Sequence, residues 1–132
     1  MKFDDKVVDL LVERFTARLW LEKWEVNWYW QNDTEVDVYG SVTPVDNRER
    51  ATIELSVTIP SFDELRRTIA HELAHLFMWN QLIIVDALES SVNEGAWAYF
   101  RQIYKDAHEK DVDTLAKMLC ELCDDKDLIA VS

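Results

Sequence analysis

Residues 61–80 read SFDELRRTIAHELAHLFMWN, and this stretch decides the predicted fold. Ser61 followed by Glu64 three positions on is a capping-box pattern, so a helix is expected to begin at Ser61 and to run to about Asn80. Apolar residues at helical spacing predict the stripe that faces the core: Phe62, Leu65, Ile69, Leu73 and Leu76. Within this helix, the pentapeptide HELAH at residues 71–75 places two imidazoles one turn apart on a single face.

The HELAH pentapeptide predicts a metal site. Its neighbours are mostly apolar, so His71, Glu72 and His75 are expected to be buried, and each unpaired buried polar group costs about 1–3 kcal/mol. One divalent ion held by both imidazoles, with Glu72 placed to handle the proton of a water molecule, would satisfy all three side chains. The sequence therefore predicts that His71 and His75 bind Zn2+ and that Glu72 is the catalytic base. The alternative is a pair of core histidines hydrogen-bonded to backbone or carboxylate groups.

A catalytic zinc ion takes three protein ligands, so a third ligand is expected elsewhere in the chain. Asp86, Glu89 and Glu94 are the acidic candidates on the next predicted helix. Glu94 is preferred because small residues surround it, and because Gly95 costs about 1 kcal/mol in a helix interior and so indicates close packing. The alternative is that Glu94 is a helix cap, since residues 91–94 match a capping box. Asp86 and Glu89 fit the start of that helix better than they fit a metal site.

The rest of the chain predicts a single α+β domain over residues 1–132. Alternation of apolar and polar residues predicts a small sheet of three strands, at residues 24–30, 36–42 and 53–59. The polar segment 44–49 suggests a hairpin between the last two strands. Helical spacing predicts three further helices, at residues 3–21, 86–108 and 112–123.

Charge and composition disfavour several classes of partner. The formal net charge of −12 argues against nucleic-acid binding, which needs a basic footprint, and against anionic membrane surfaces. The amino-terminal residues are acidic where a signal peptide would be basic, and no segment is long and apolar enough to span a bilayer. A cytoplasmic location is therefore expected. The composition leaves the oligomeric state open.

Two smaller features have structural interpretations. The stripe of Trp24, Trp28 and Trp30 on the first strand is expected to belong to the core rather than to form a surface for a partner. Cys120 and Cys123 lie late in a helical pattern, so they are expected to be small apolar residues on a packed face rather than a redox pair.

The motif residues resemble the gluzincin group of zinc metallopeptidases, especially its small single-domain, minigluzincin-like members. In that group one helix carries H-E-x-x-H and a following glutamate helix carries an Asn-Glu pair. The resemblance implies a zincin-like fold, with His71, His75 and Glu94 as zinc ligands and Glu72 as general base. The segment around HELAH is also similar to the ImmA/IrrE-type peptidases, which cleave regulatory proteins, and less similar to SprT-like proteins.

The chain departs from the gluzincin pattern at two points. Where thermolysin-type members carry an Asp one turn after the glutamate ligand, to orient a histidine, this chain has Ala98. The downstream His or Tyr that stabilises the oxyanion in that group has three possible counterparts, Tyr99, Tyr104 and His108. The sequence does not select among the three.

The resemblance implies a zinc-dependent endopeptidase in which Glu72 takes a proton from water as the water attacks a peptide carbonyl. Its partner would be a peptide or protein substrate, which an exposed sheet edge could hold as an added strand. The alternative is a zincin-like, metal-containing protein-binding module without peptidase activity. A metal-free helical scaffold is the third hypothesis.

Overall fold

The computed structural model describes residues 3–32, 39–45, 48–79 and 93–129. Within these residues the chain forms a small α+β fold, as predicted, in which three helices pack with a three-stranded mixed sheet. The elements in chain order are α1 (Asp5–Arg18), β1 (Glu25–Gln31), β2 (Gly40–Val45), β3 (Arg50–Ser56), α2 (Phe62–Phe77), α3 (Glu94–Leu122) and a 3-10 turn (Lys126–Leu128).

The sheet has the strand order β1-β3-β2, so β3 is central. β2 and β3 are antiparallel, which confirms the predicted hairpin, whereas β1 and β3 are parallel. β2 is longer at its end than predicted, because Pro44 and Val45 belong to the strand rather than to the turn. Proline has no N–H to give to a sheet, and β2 tolerates it because β2 is an edge strand.

The core lies between one face of the sheet and helices α1 and α2. Ile53 and Leu55 of β3 are buried there, and the neighbouring Trp28 and Trp30 of β1 are half-buried against the same cluster. The indole N–H of Trp28 donates to Asp9 at 2.7 Å, and that of Trp30 donates to a second α1 carboxylate at 3.0 Å. The tryptophan stripe therefore packs as part of the core, with its polar edges paired to α1.

Helix α2 begins where the capping box predicts. The hydroxyl of Ser61 accepts from the N–H of Glu64 at 3.2 Å. The predicted stripe is buried at four of its five positions, namely Leu65, Ile69, Leu73 and Leu76. This stripe fixes the rotation of α2 and thereby turns the face of His71 and His75 away from the sheet and toward α3.

The two predicted helices at residues 86–108 and 112–123 are wrong in their boundaries, because one helix runs from Glu94 to Leu122. No Gly or Pro interrupts this segment after Gly95, so nothing breaks its backbone hydrogen bonds at residues 109–111. Asn93 caps the helix by accepting from the N–H of Ala96 at 2.8 Å. The predicted start near Asp86 lies outside the described residues. Although α3 has 29 residues, no helix within the described ranges is both long and apolar enough to cross a membrane.

A buried carboxylate ties the end of the chain to the two other helices. The side chain of Asp125 is fully buried and forms ion pairs with Arg14 and Arg18 of α1 and with Arg66 of α2, at 2.8–3.0 Å. Burial alone would raise the pKa of Asp125, but the hydrogen bonds from Arg18, Arg14 and Arg66 outweigh burial and hold the pKa at about 2. This cluster positions the end of α3 against α2.

The two cysteines are free thiols, and both are half-buried near that junction. Cys120 packs against the core cluster, as predicted, and its burial raises the pKa of its thiol. The guanidinium of Arg66 donates to the backbone carbonyls of Cys120 and Cys123 at 3.3 and 2.9 Å. The last turn of α3 is thus held by its backbone rather than by its thiols.

Candidate metal centre

The HELAH pentapeptide places its two imidazoles as a metal pair. His71 and His75 lie one turn apart on α2, and their Nε2 atoms are 3.2 Å apart. Two nitrogens at about 2.0–2.1 Å from a tetrahedral zinc ion would lie about 3.3 Å from each other. The two rings therefore already have the separation that a shared ion requires.

Helix α3 brings a carboxylate to the same point. Oε1 of Glu109 lies 3.6 Å from Nε2 of His75. One ligand atom each from His71, His75 and Glu109 falls within 4.8 Å of the others. Two imidazoles and one carboxylate form a donor set that suits zinc and other divalent metals and leaves coordination positions open.

A second layer of side chains from α3 orients the two rings. Oδ1 of Asp113 lies 3.0 Å from Nδ1 of His71, and Nε2 of His108 lies 3.2 Å from Nδ1 of His75. When each Nδ1 carries the proton, it donates to these acceptors, and each Nε2 lone pair points toward the shared position. Asp113 therefore supplies the orienting carboxylate that the sequence lacked at Ala98.

The same atoms can also form a chain of hydrogen bonds without an ion. In that arrangement one Nε2 of His71 or His75 donates to the other, which is the predicted alternative of paired core histidines. Burial, followed by the charge of His71, lowers the pKa of His75. The neutral imidazole that this favours suits both arrangements, because it can bind an ion or take part in the hydrogen-bond chain.

Glu72 lies beside this group and is buried, with 8% of its surface exposed. Burial, with a contribution from the charge of Glu109, raises the pKa of Glu72 to about 7. A carboxyl group with this pKa can take up and release a proton near neutral pH, as a general base must.

The edge strand β2 packs closely against α2 at Glu72. A Cβ added to Gly40 would lie 2.6 Å from Cγ2 of Thr68 and 3.6 Å from Cγ of Glu72. The absence of a side chain at Gly40 therefore allows this approach, and Glu72 becomes the floor of a cleft between the strand and the helix. Nothing in the sequence pattern distinguishes Gly40 beyond its place in the strand.

Two cavities continue this cleft on either side of Glu72, and both are lined by Gly40 and Glu72. One, of about 320 Å³, extends past His71 toward Arg67 and Tyr39. The other, of about 290 Å³, extends past His75 and is lined by side chains that include Val42, Pro44, Leu76 and Trp79. His71 and His75 thus lie with Glu72 near the middle of an elongated groove formed by the two cavities.

The structure brings together His71, Glu72 and His75, but it does not bring Glu94 to them. Glu94 is exposed in the first turn of α3, 15 residues before Glu109, which corresponds to about 22 Å along a helix axis. A straight helix cannot present both carboxylates to one ion, and the one that it presents to the histidines is Glu109.

The three predicted candidates for an oxyanion donor lie in different surroundings. Tyr99 is largely exposed on α3, whereas His108 lies within the group. The ring of Tyr104 stacks on His108 at 5.9 Å between centroids. Sequence reasoning missed Glu109 and Asp113, whose signal was their spacing of four residues, which puts both on one face of a helix; the predicted break near residue 109 concealed it.

Comparison with protein-family models, with curated proteins and with solved structures found no match to this chain. The resemblance to gluzincins therefore stays a prediction from the HELAH motif, and the geometry of the site is the basis on which a function can be inferred.

Proposed function

We propose that this chain is a zinc-dependent endopeptidase, in which His71, His75 and Glu109 hold the ion and Glu72 is the general base. The observation that carries the proposal is the convergence of both Nε2 atoms and a carboxylate at one point beside a buried glutamate. A site that served only to stabilise the fold would close the coordination sphere and would not need Glu72. Glu109 takes the place that the sequence suggested for Glu94.

Each side chain has a defined part in hydrolysis. A bound zinc ion would supply Lewis acidity, which polarises a peptide carbonyl and makes a water molecule more acidic. Glu72 takes the proton of the attacking water and passes it to the leaving amine, a role that its buried position beside the two histidines suits. Asp113 and His108 keep the rings of His71 and His75 in the required tautomer and orientation.

The edge strand β2 supports a peptide as the substrate. The carbonyl of Tyr39, just before β2, accepts from the N–H of Ser56 at 2.8 Å, which marks a hydrogen-bonding position directly next to the ladder pair of Gly40 and Leu55. Pairing alternates along such a ladder, so the backbone groups of Gly40 and Val42 point away from β3, toward the side of β2 on which no described strand lies. An extended peptide can pair with them as an added strand above Glu72.

The test combines metal content with turnover. Zinc per chain is measured by elemental analysis after dialysis against a weak chelator, for the wild type and for Glu109→Gln and Glu94→Gln. The proposal expects one zinc per chain in the wild type, a loss of most zinc in Glu109→Gln, and full retention in Glu94→Gln, which is the matched control. Retention by Glu109→Gln with loss in Glu94→Gln would restore the ligand set that the sequence favoured.

Turnover is measured on a quenched-fluorescence peptide library, with Glu72→Gln as the second comparison. The expected result is hydrolysis by the wild type that chelation removes, and no hydrolysis by Glu72→Gln despite normal zinc content. Zinc retention without hydrolysis in the wild type would favour the alternative, a metal-containing binding module. No zinc in the wild type would overturn the proposal.

A further inference from the structure

The groove at the candidate metal centre has chemically different ends, and this inference rests on the proposed peptidase function. The strand β2 forms one side of the groove and the helix α2 forms the other, and their chain directions can be compared. At one end Tyr39, just before β2, faces the first half of α2, and at the other end Pro44 of β2 faces Trp79, just past the end of α2. The strand and the helix therefore run in the same direction along the groove, with Glu72 between the two ends.

One end of the groove carries an available cation. Arg67 lies one turn before His71 on the same face of α2, and 62% of its side chain is exposed. Its carboxylate neighbour, Glu64, lies 3.7 Å away, beyond hydrogen-bond distance. The adjacent Arg66 is different: its side chain is 12% exposed and is engaged with Asp125. Arg67 can thus turn its guanidinium toward a ligand without breaking a strong ion pair, and Arg66 cannot.

The other end of the groove is apolar. Val42 and Pro44 of β2 face Leu76 and Trp79 there, and Leu76 is buried while the other three are partly exposed. An aliphatic or aromatic side chain would bury its surface against these four residues, at a gain that grows with its area. A charged side chain would lose hydration there without gaining a partner.

The direction of an added strand decides which end of a substrate meets which end of the groove. Antiparallel pairing is the more stable arrangement per residue, and Gly40 and Val42 offer the paired N–H and C=O groups that it uses. A strand antiparallel to β2 begins at the Trp79 end and finishes at the Arg67 end. Residues before the cleaved bond then lie in the apolar cavity, and residues after it lie near Arg67.

We propose that the substrate is a peptide with an apolar residue before the cleaved bond and a carboxylate after it, and that Arg67 is the specificity residue that binds this carboxylate. The carboxylate is either an acidic side chain or the peptide's own carboxyl terminus, and both suit a bidentate guanidinium. A chain with a net charge of −12 repels an acidic substrate through its overall field, so the attraction has to come from the local cation Arg67.

The experiment measures kcat and KM for matched fluorogenic peptides with Leu before the bond and Asp, Asn or Lys after it, each with a free and an amidated carboxyl terminus. The wild type is expected to prefer Asp over Asn by about tenfold in kcat/KM. Arg67→Gln is expected to lose this preference through a higher KM with little change in kcat, because Arg67 lies away from the reacting atoms. Arg67→Glu is expected to favour Lys, and Arg101→Gln, on the exposed half of α3, is the matched control.

The outcomes separate the inference from the proposed function. A preference for Asp over Asn and Lys that is kept in the amidated peptides assigns the side chain as the bound group, and a preference for free over amidated peptides, whatever the side chain, assigns the carboxyl terminus. Cleavage with neither preference, or a preference for acid before the bond, would overturn the inference and leave the peptidase intact. If no peptide is cleaved, the proposed function fails, and fluorescence anisotropy of the same peptides still decides the inference, since binding that is indifferent to Arg67 overturns it.

Discussion

Replacing Glu72 by Gln is expected to stabilise the metal-free protein at neutral and alkaline pH. The side chain is buried beneath β2, and burial, with the charge of Glu109, raises its pKa from 4.5 to about 7. In the unfolded chain the carboxyl group is hydrated and has its usual pKa. Between these two values, the folded protein holds a proton that the unfolded chain has released.

The sign and the size of the effect come from this difference. A pKa that is raised on folding contributes stability that is complete below the unfolded value and is lost as pH rises through the folded value. At about 1.4 kcal/mol for each pKa unit, the rise from 4.5 to about 7 corresponds to a loss of about 3 kcal/mol. Gln has nearly the same shape and does not titrate, so Glu72→Gln escapes this loss.

The assay is urea unfolding monitored by tryptophan fluorescence, with a chelator present, between about pH 4 and about pH 8. The free energy of unfolding of Glu72→Gln minus that of the wild type is expected to grow by about 3 kcal/mol across this interval. Glu13→Gln, which removes an exposed carboxylate of α1, is the matched control and is expected to behave like the wild type. A difference between Glu72→Gln and the wild type that is constant with pH would refute the assigned pKa shift.

Three further changes test the packing and the site. Asp125→Asn is expected to cost about 3–5 kcal/mol, because it removes the buried carboxylate that pairs with three half-buried arginines. In the wild type, this contribution is present above pH 3.8 and is lost as pH falls toward about 2, as acid unfolding would report. Gly40→Ala is expected to lower the stability by about 1–3 kcal/mol, and Thr68→Ser, which removes the methyl group 2.6 Å from the new Cβ, is expected to recover most of the loss in thermal unfolding. Asp113→Asn is expected to weaken zinc affinity about 10–100-fold in a chelator competition, because it alters the acceptor for His71; unchanged affinity would remove Asp113 from the site.

The secondary-structure predictions are confirmed where the interactions that decide the structure are between residues close in sequence. The capping box at Ser61 set the start of α2, and the apolar stripe of the same helix set the face of His71 and His75. The hairpin of β2 and β3 was predicted from alternation with a turn between the strands. In each case the interaction that decides the structure spans only a few residues.

Glu94 as the third ligand stays a prediction, and there is a physical reason why the sequence pattern did not point to the grouping of Glu109 with the histidines. The charged run at residues 109–111 looked like a helix end, yet charge alone does not break a helix, and α3 continues through it. Because α3 is one continuous helix, only the turn that packs against the histidines of α2 can bring a carboxylate to them. That turn carries Glu109 and not Glu94. The ion pairs of Asp125 with α1 and α2 help to set that packing.

The sequence alone determined that two imidazoles and a glutamate share one helix, because the helical repeat fixes their spacing without help from other elements. Tertiary structure decided which carboxylate meets them, how closely β2 approaches Glu72, and which end of the groove carries Arg67. These three features depend on how elements far apart in sequence pack together. If one helix slid by one turn along its neighbour, each of its side chains would contact different residues.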